Sequence, residues 1–140
     1  MRILIVEDEA LLALELEYEV ESAGHDVIAQ APSYKVAVEA IERERPDFAF
    51  VDIHLLDGPR GVDVGQYLCE RGIPYVFVSG NIRRIPEDFA GALGAIEKPY
   101  TMNGLQNALS YLDDLVRGVA TTAPPPSLVM SPSQPLPKTL

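Results

Sequence analysis

Cysteine is nearly absent. The chain of 140 residues carries one, Cys69. One thiol cannot close an internal disulfide, which excludes a disulfide-stapled fold and fits a reducing compartment. The ordinary role for such a residue is packing on a helix face, because free cysteine is commonly buried. Basic residues are scarce as well: 11 Lys and Arg stand against 21 Asp and Glu, a formal net charge of −10. A body this acidic repels nucleic acid and anionic membranes, and the sole local exception is Arg83-Arg84. No apolar run approaches the roughly 20 residues of a membrane span. The opening Ile3-Leu4-Ile5-Val6 is too short for the hydrophobic region of a secretion signal. The two histidines, His25 and His54, lack metal-ligand spacing, so zinc is not expected. There are no internal repeats. These absences lead to the expectation of a soluble, cytoplasmic protein with neither nucleic acid nor membrane as partner.

The length suits one domain, and a hydrophobic fraction of 47% can fill its core. Short apolar runs alternate with amphipathic stretches. Ile3-Leu4-Ile5-Val6 reads as a first strand. Residues 9–23 read as a helix with Leu12, Leu16, Val20 and Ala23 on one face, Asp8 as its cap and Gly24 at its end. Residues 26–30 form a weaker second strand. Ser33 caps a second helix with Val36, Ala37, Ala40 and Ile41 inward, and Pro46 marks its end. Phe48-Ala49-Phe50-Val51 and Tyr75-Val76-Phe77-Val78 are strands apolar on both faces, separated by a helix over residues 62–70 that Arg71-Gly72 closes. A short fourth helix is expected over residues 86–90, opened by Pro86. Ala95-Ile96 is a fifth strand. Thr101 caps a final helix that buries Leu105, Ala108, Leu109, Leu112 and Val116.

Strands apolar on both faces belong to buried parallel sheets, and their alternation with helices predicts an α/β fold. The expected architecture is a doubly wound (βα)5 three-layer sandwich, its five-stranded parallel sheet in the flavodoxin-like order 2-1-3-4-5. The domain should span residues 1–118. Residues 119–140 hold six prolines and one charge, Lys138, and should form an extended or disordered tail.

The polar residues that interrupt the apolar strands carry the chemistry. Glu7 and Asp8 follow the first strand, Asp52 the third, Ser79 the fourth, and Lys98 closely follows the fifth. In an open parallel sheet all five fall on the carboxyl edge, where ligands bind at the reversal of strand order. Three carboxylates in one pocket stay ionised only if a cation joins them. A hard cation held by a few carboxylates, waters and a substrate phosphate describes Mg2+. A carboxylate beside it can attack a phosphoryl group, with Lys98 and the Ser79 hydroxyl neutralising or hydrogen-bonding the equatorial oxygens. Taken singly, Asp8 is explained as a helix cap, Asp52 as the opening of a turn, Lys98 as a solvated charge and Ser79 as a strand-end hydroxyl. Joint placement on one edge is what distinguishes them.

Glu7-Asp8, Asp52, Ser79-Gly80 and Lys98-Pro99, in that order and at those strand ends, resemble the receiver domain of two-component response regulators across roughly residues 2–116. The resemblance implies that Asp52 is the phosphoacceptor. It implies that Glu7, Asp8, Asp52 and the backbone carbonyl of His54 hold Mg2+, that Ser79 is the switch hydroxyl, that Lys98 contacts the phosphoryl group, and that Lys98-Pro99 is cis. Family members often carry Tyr or Phe three residues before the lysine, where this chain has Ala95. The run Pro74-Tyr75-Val76-Phe77-Val78-Ser79-Gly80-Asn81 is similar to a variant subgroup with a Phe-Ala-Thr-Gly signature. Output would then run through residues 80–92. Asp57-Gly58 and Gly61 resemble the loop after the phosphoacceptor, with irregular spacing.

The resulting expectation is a single-domain response regulator. It takes its phosphoryl group from a sensor histidine kinase or histidine phosphotransfer protein and acts on a downstream protein target, as a monomer or weak homodimer. It is not a turnover enzyme, although it assists its own phosphorylation and dephosphorylation. One alternative is a non-phosphorylated binding module of the same fold. Another is an aspartyl-phosphate phosphatase, disfavoured because His54 stands where such enzymes carry a second acid and because no cap domain is present.

Overall fold

The computed structural model describes residues 1–119 and 123–132. Five parallel strands, β1 (Arg2–Val6), β2 (Asp26–Ala31), β3 (Phe48–Val51), β4 (Tyr75–Ser79) and β5 (Gly94–Glu97), lie in the order β2-β1-β3-β4-β5. Four helices cover them: α1 (Ala10–Ser22), α2 (Tyr34–Arg43), α3 (Gly61–Glu70) and α4 (Met102–Val116).

The double-sided apolarity of the strands is used on both faces. Leu4, Val6, Ala49, Val51, Tyr75, Phe77 and Ala95 pack with Ala37, Ile41, Val64 and Leu68 beneath α2 and α3. Ile3, Ile5, Phe48, Phe50, Val76, Val78 and Ile96 pack with Leu16, Val20, Leu105, Leu109 and Leu112 beneath α1 and α4. Alternation along an extended chain sends neighbours to opposite faces, so each strand feeds both cores. Each fully buried large side chain contributes about 1.5–3 kcal/mol.

Local signals behave largely as expected. Ser33 Oγ accepts from Val36 N at 3.2 Å, and Thr101 Oγ1 accepts from Gly104 N at 2.9 Å. Gly24 ends α1 at φ 90 and Gly72 follows α3 at φ 68, conformations glycine adopts without steric cost.

Several expectations are corrected. Asp8 does not cap α1: the cap position is Glu9, with no side-chain cap hydrogen bond. Ala23 is exposed, and α1 buries Ala13, Leu16, Glu19 and Val20 instead. Cys69 is exposed, because the buried stripe of α3 runs through Gly61, Val64, Gly65 and Leu68. The short helix expected over 86–90 is replaced by two 3-10 turns, Ile82–Arg84 and Phe89–Gly91. Phe89, Ala90 and Gly91 all take positive φ (55, 48 and 83), which no right-handed helix accommodates.

The sheet also has a sixth strand. β6 (Val129–Met130) pairs antiparallel with β5, so part of the expected tail lies on the domain. Residues 120–122 and 133–140 of that tail fall outside the described residues.

Candidate functional site

Strand order reverses between β1 and β3, which lie side by side in register from Ile3↔Phe48 to Val6↔Val51. Backbone bonding continues just past the strand ends. Glu7 N donates to Ala31 O at 3.0 Å, Asp52 N to Val6 O at 2.9 Å, and Lys98 N to Ser79 O at 2.8 Å. These bonds fix where the three polar residues leave the sheet.

Glu7, Asp8 and Asp52 converge, each offering a carboxylate oxygen, with all three atoms within 4.8 Å of one another. Lys98 Nζ stands 2.8 Å from Asp52 Oδ2 and 3.2 Å from Glu7 Oε1. Glu7 is only 8% exposed, and its Oε2 is buried with no hydrogen-bond partner among the described residues. Below the cluster a small apolar cavity is walled by Val6, Leu12, Leu16, Phe50 and Tyr100.

One ammonium does not balance these carboxylates. Burial, then the Asp52 carboxyl close beside it, push the Glu7 carboxyl from 4.5 up to about 8, against the pull of Lys98. Burial would raise Asp52 too, but the neighbouring Glu7 carboxyl and the Lys98 ammonium overcome it and hold Asp52 below its ordinary value. Burial works against the Lys98 ammonium, yet its contacts with Asp52 and Glu7 raise its pKa overall. A proton entering the cation-free cluster therefore goes to Glu7 before Asp52. The unpartnered Glu7 oxygen and the three convergent carboxylates form the donor set that a hard, oxygen-seeking divalent cation requires, so these residues fit Mg2+.

Ser79 is buried, and its hydroxyl is engaged with the Asn81 backbone, accepting from Asn81 N and donating to Asn81 O, both at 3.1 Å. No hydrogen bond joins it to Asp52 or Lys98. The His54 ring is turned away to Arg84, whose guanidinium stands 2.5 Å from Nε2. Lys98-Pro99 is cis. Ala95 is fully buried beside Phe77 in the core under α3.

Gly61 has a role that motif reading alone missed. A Cβ there would stand 2.0 Å from the Asp52 carbonyl oxygen. The first turn of α3 therefore presses directly on the acidic residue's backbone, tied by Gly61 N to Ile53 O at 2.9 Å. The Asp57-Gly58-Pro59-Arg60-Gly61 run was the only signal of this packing. Asp57 in turn accepts from Tyr34 N at 3.1 Å, joining the loop to α2.

Comparison with known proteins follows the same lines. Residues 3–110 match the family described as the response regulator receiver domain. The chain is 43% identical over 79 residues to the phyllosphere-induced regulator PhyR of Methylorubrum extorquens, covering 55% of this chain and 30% of that one. It is 29% identical over 114 residues to the transcriptional regulatory protein PdtaR of Mycobacterium tuberculosis, covering 77% of this chain and 54% of the relative. The chain thus spans about half the length of these curated relatives, or less. Among solved structures, the PhyR receiver domain of Erythrobacter litoralis superimposes with a TM-score of 0.70 at 29% identity, covering 78% of this chain and 86% of that one. A CheY-like receiver domain protein of Methanospirillum hungatei gives 0.72 at 25% identity, covering 84% and 94%. No described helix is long and apolar enough to cross a membrane. Sheet order, convergent acidic cluster and a match over residues 3–110 agree: the chain belongs to the response regulator receiver domain family.

Proposed function

We propose that this receiver accepts a phosphoryl group on Asp52 from a phosphohistidine of a sensor histidine kinase or histidine phosphotransfer protein. It does so in a cytoplasmic phosphorelay and passes the signal on by contact with a downstream protein. The observation that carries this reading is Lys98 Nζ at 2.8 Å from Asp52 Oδ2, inside a cluster of three carboxylates.

In the transfer, an Asp52 carboxylate oxygen bonds to phosphorus while the phosphorus–nitrogen bond of the donor breaks, and the imidazole leaves with the electron pair. Lys98 holds one phosphoryl oxygen by charge. The Ser79 hydroxyl, on leaving Asn81, donates to another. Glu7, Asp8, Asp52 and the backbone carbonyl of His54 would hold Mg2+, which supplies positive charge to the phosphoryl oxygens. The same groups assist later hydrolysis of the acyl phosphate, so the chain signals without acting as a turnover enzyme. Residues 1–118 carry this chemistry. The protein acts as a monomer or weak homodimer.

The test is labelling by a small phosphodonor in the presence of Mg2+. The parent should form an acyl phosphate that Asp52→Asn does not form. Equal labelling of Asp52→Asn would overturn the assignment, and failure of the parent to bind Mg2+ would favour a non-phosphorylated binding module.

A further inference from the structure

Residues 127–131, Ser-Leu-Val-Met-Ser, lie along the free edge of β5 and against the start of α4. Ala95 pairs with Val129 and Gly94 with Met130. Ser131 N donates to Leu93 O at 3.0 Å, and Ser127 Oγ donates to Gly104 O at 2.6 Å. Two glycines are shaped to this segment. A Cβ at Gly94 would stand 2.5 Å from the Val129 carbonyl oxygen, and one at Gly104 3.1 Å from Ser127 Cβ. Leu128 is 5% exposed and enters the core under α4, whereas Val129 is 41% exposed. The segment also forms one wall of a groove. Pro126, Ser127 and Val129 face Glu97, Pro99 and Thr101, immediately beyond Lys98.

We propose that the β5 edge and the N-terminal turn of α4 form a strand-docking site whose resting occupant is the chain's own segment 127–131. A partner's extended, uncharged segment bearing one large aliphatic residue takes that place. The proposal rests on the reading of output as protein contact and names the surface and the partner's chemistry.

The grip is broad enough to be specific and thin enough to be released. Two ladder pairs, hydrogen bonds at Ser127 and Ser131 and a buried leucine are set against the ordering of five backbone residues, and these opposing terms are comparable in size. Main-chain bonds to a sheet edge supply affinity, and a single side-chain pocket supplies selectivity. The seated segment has no charge, and its Leu128 joins an apolar cluster that includes Ile96, Leu105 and Ala108. An acidic segment would in addition meet the repulsion of a body with net charge −10.

The test uses a fluorescent peptide copying residues 124–132 and two forms of the full chain, the parent and Leu128→Asp. The parent's edge is occupied most of the time, so its apparent affinity is reduced by that fraction, and Leu128→Asp should bind the peptide about tenfold more tightly. Adding Gly94→Val to that variant should abolish binding. Equal binding by parent and Leu128→Asp, or none by Leu128→Asp, overturns the proposal. If Leu128→Asp fails to fold by circular dichroism, hydrogen exchange on the parent decides. The Ser131 amide should exchange on the order of 10²-fold faster than that of Phe77 in the central strand. Equal protection would make the segment a fixed part of the core and overturn the proposal. No phosphodonor is used, so failure here leaves the Asp52 assignment standing.

Discussion

The Tyr75 hydroxyl donates to the Ala90 carbonyl at 2.5 Å and thereby holds closed a turn in which two non-glycine residues are left-handed. Gly65 makes room for that hydroxyl, since a Cβ there would stand 2.4 Å from it. Burial pushes the phenol further above its ordinary value, so it stays a donor well into alkaline pH. Phe77 packs edge-on against Tyr75 at 5.3 Å, and Ser79 follows on the same face of β4. The strained turn is thus coupled to the strand that ends at Ser79.

Tyr75→Phe keeps the packing and removes the clamp. The half-buried Ala90 carbonyl loses a donor, and stability should fall by about 1 kcal/mol in chemical denaturation. Exchange at Ala92, whose amide donates to Phe89 O, should quicken. Unchanged exchange there would show that the turn is held by something else.

Gly61→Ala should be severe for so small a change. The added methyl meets the Asp52 carbonyl oxygen and the Ile53 Cα at 2.0 and 2.6 Å, both backbone atoms that cannot step aside. A loss of about 3 kcal/mol or a displaced Asp52 loop is expected. Thermal melting reports the first, and chemical shifts of Asp52 and Ile53 report the second. A parent-like melt together with parent-like shifts would contradict the packing described.

Lys98→Ala removes the cation that stands beside Asp52 among the described residues. Phosphorylation by a small donor should slow by about 10²-fold, the typical cost of losing one charge-stabilising donor. Lys98→Arg should recover part of the rate. A variant as fast as the parent would remove Lys98 from the chemistry.

Folding stability in a chelator should fall as pH rises from about 5 to about 9. Glu7 binds its proton more tightly in the fold, near 8, than at its ordinary 4.5. Its contribution is therefore complete below 4.5 and lost as pH climbs through about 8. Asp52 is shifted the other way, and its contribution disappears only as pH falls below its ordinary range. Glu7→Gln should flatten the alkaline limb of the thermal midpoint profile. Mg2+ should stabilise the parent more at higher pH, because it competes with a proton for the same oxygens. A profile as steep in Glu7→Gln as in the parent would place the titration elsewhere.

How legible was this molecule in its sequence? The strands were, because runs such as Phe48-Ala49-Phe50-Val51 supply both cores at once, and their polar successors had to emerge on one edge. Glu7, Asp8, Asp52 and Lys98 meet there as read. Asp8 was misread as a helix cap because its short acidic side chain satisfies that pattern equally well, and only the neighbouring carboxylates reveal its direction. The turn at Phe89-Ala90-Gly91 opposes the local propensity of Phe and Ala. It follows from Tyr75, fourteen residues earlier than Phe89, which no local window captures. The exposure of Cys69 reflects two glycines, Gly61 and Gly65, taking stripe positions that sequence reading gives to larger residues. β6 is two residues long inside a proline-rich stretch, too short for any period to register.

Covering the β5 edge has a consequence for colloidal behaviour. A bared edge strand offers unpaired amides and carbonyls to any other chain, and is a template for aggregation. A free edge left by the departing segment would be tolerable only while another strand stands ready to fill it. At high concentration without that partner, a variant such as Leu128→Asp would be prone to self-association, so solubility itself becomes a gauge of whether the edge is covered.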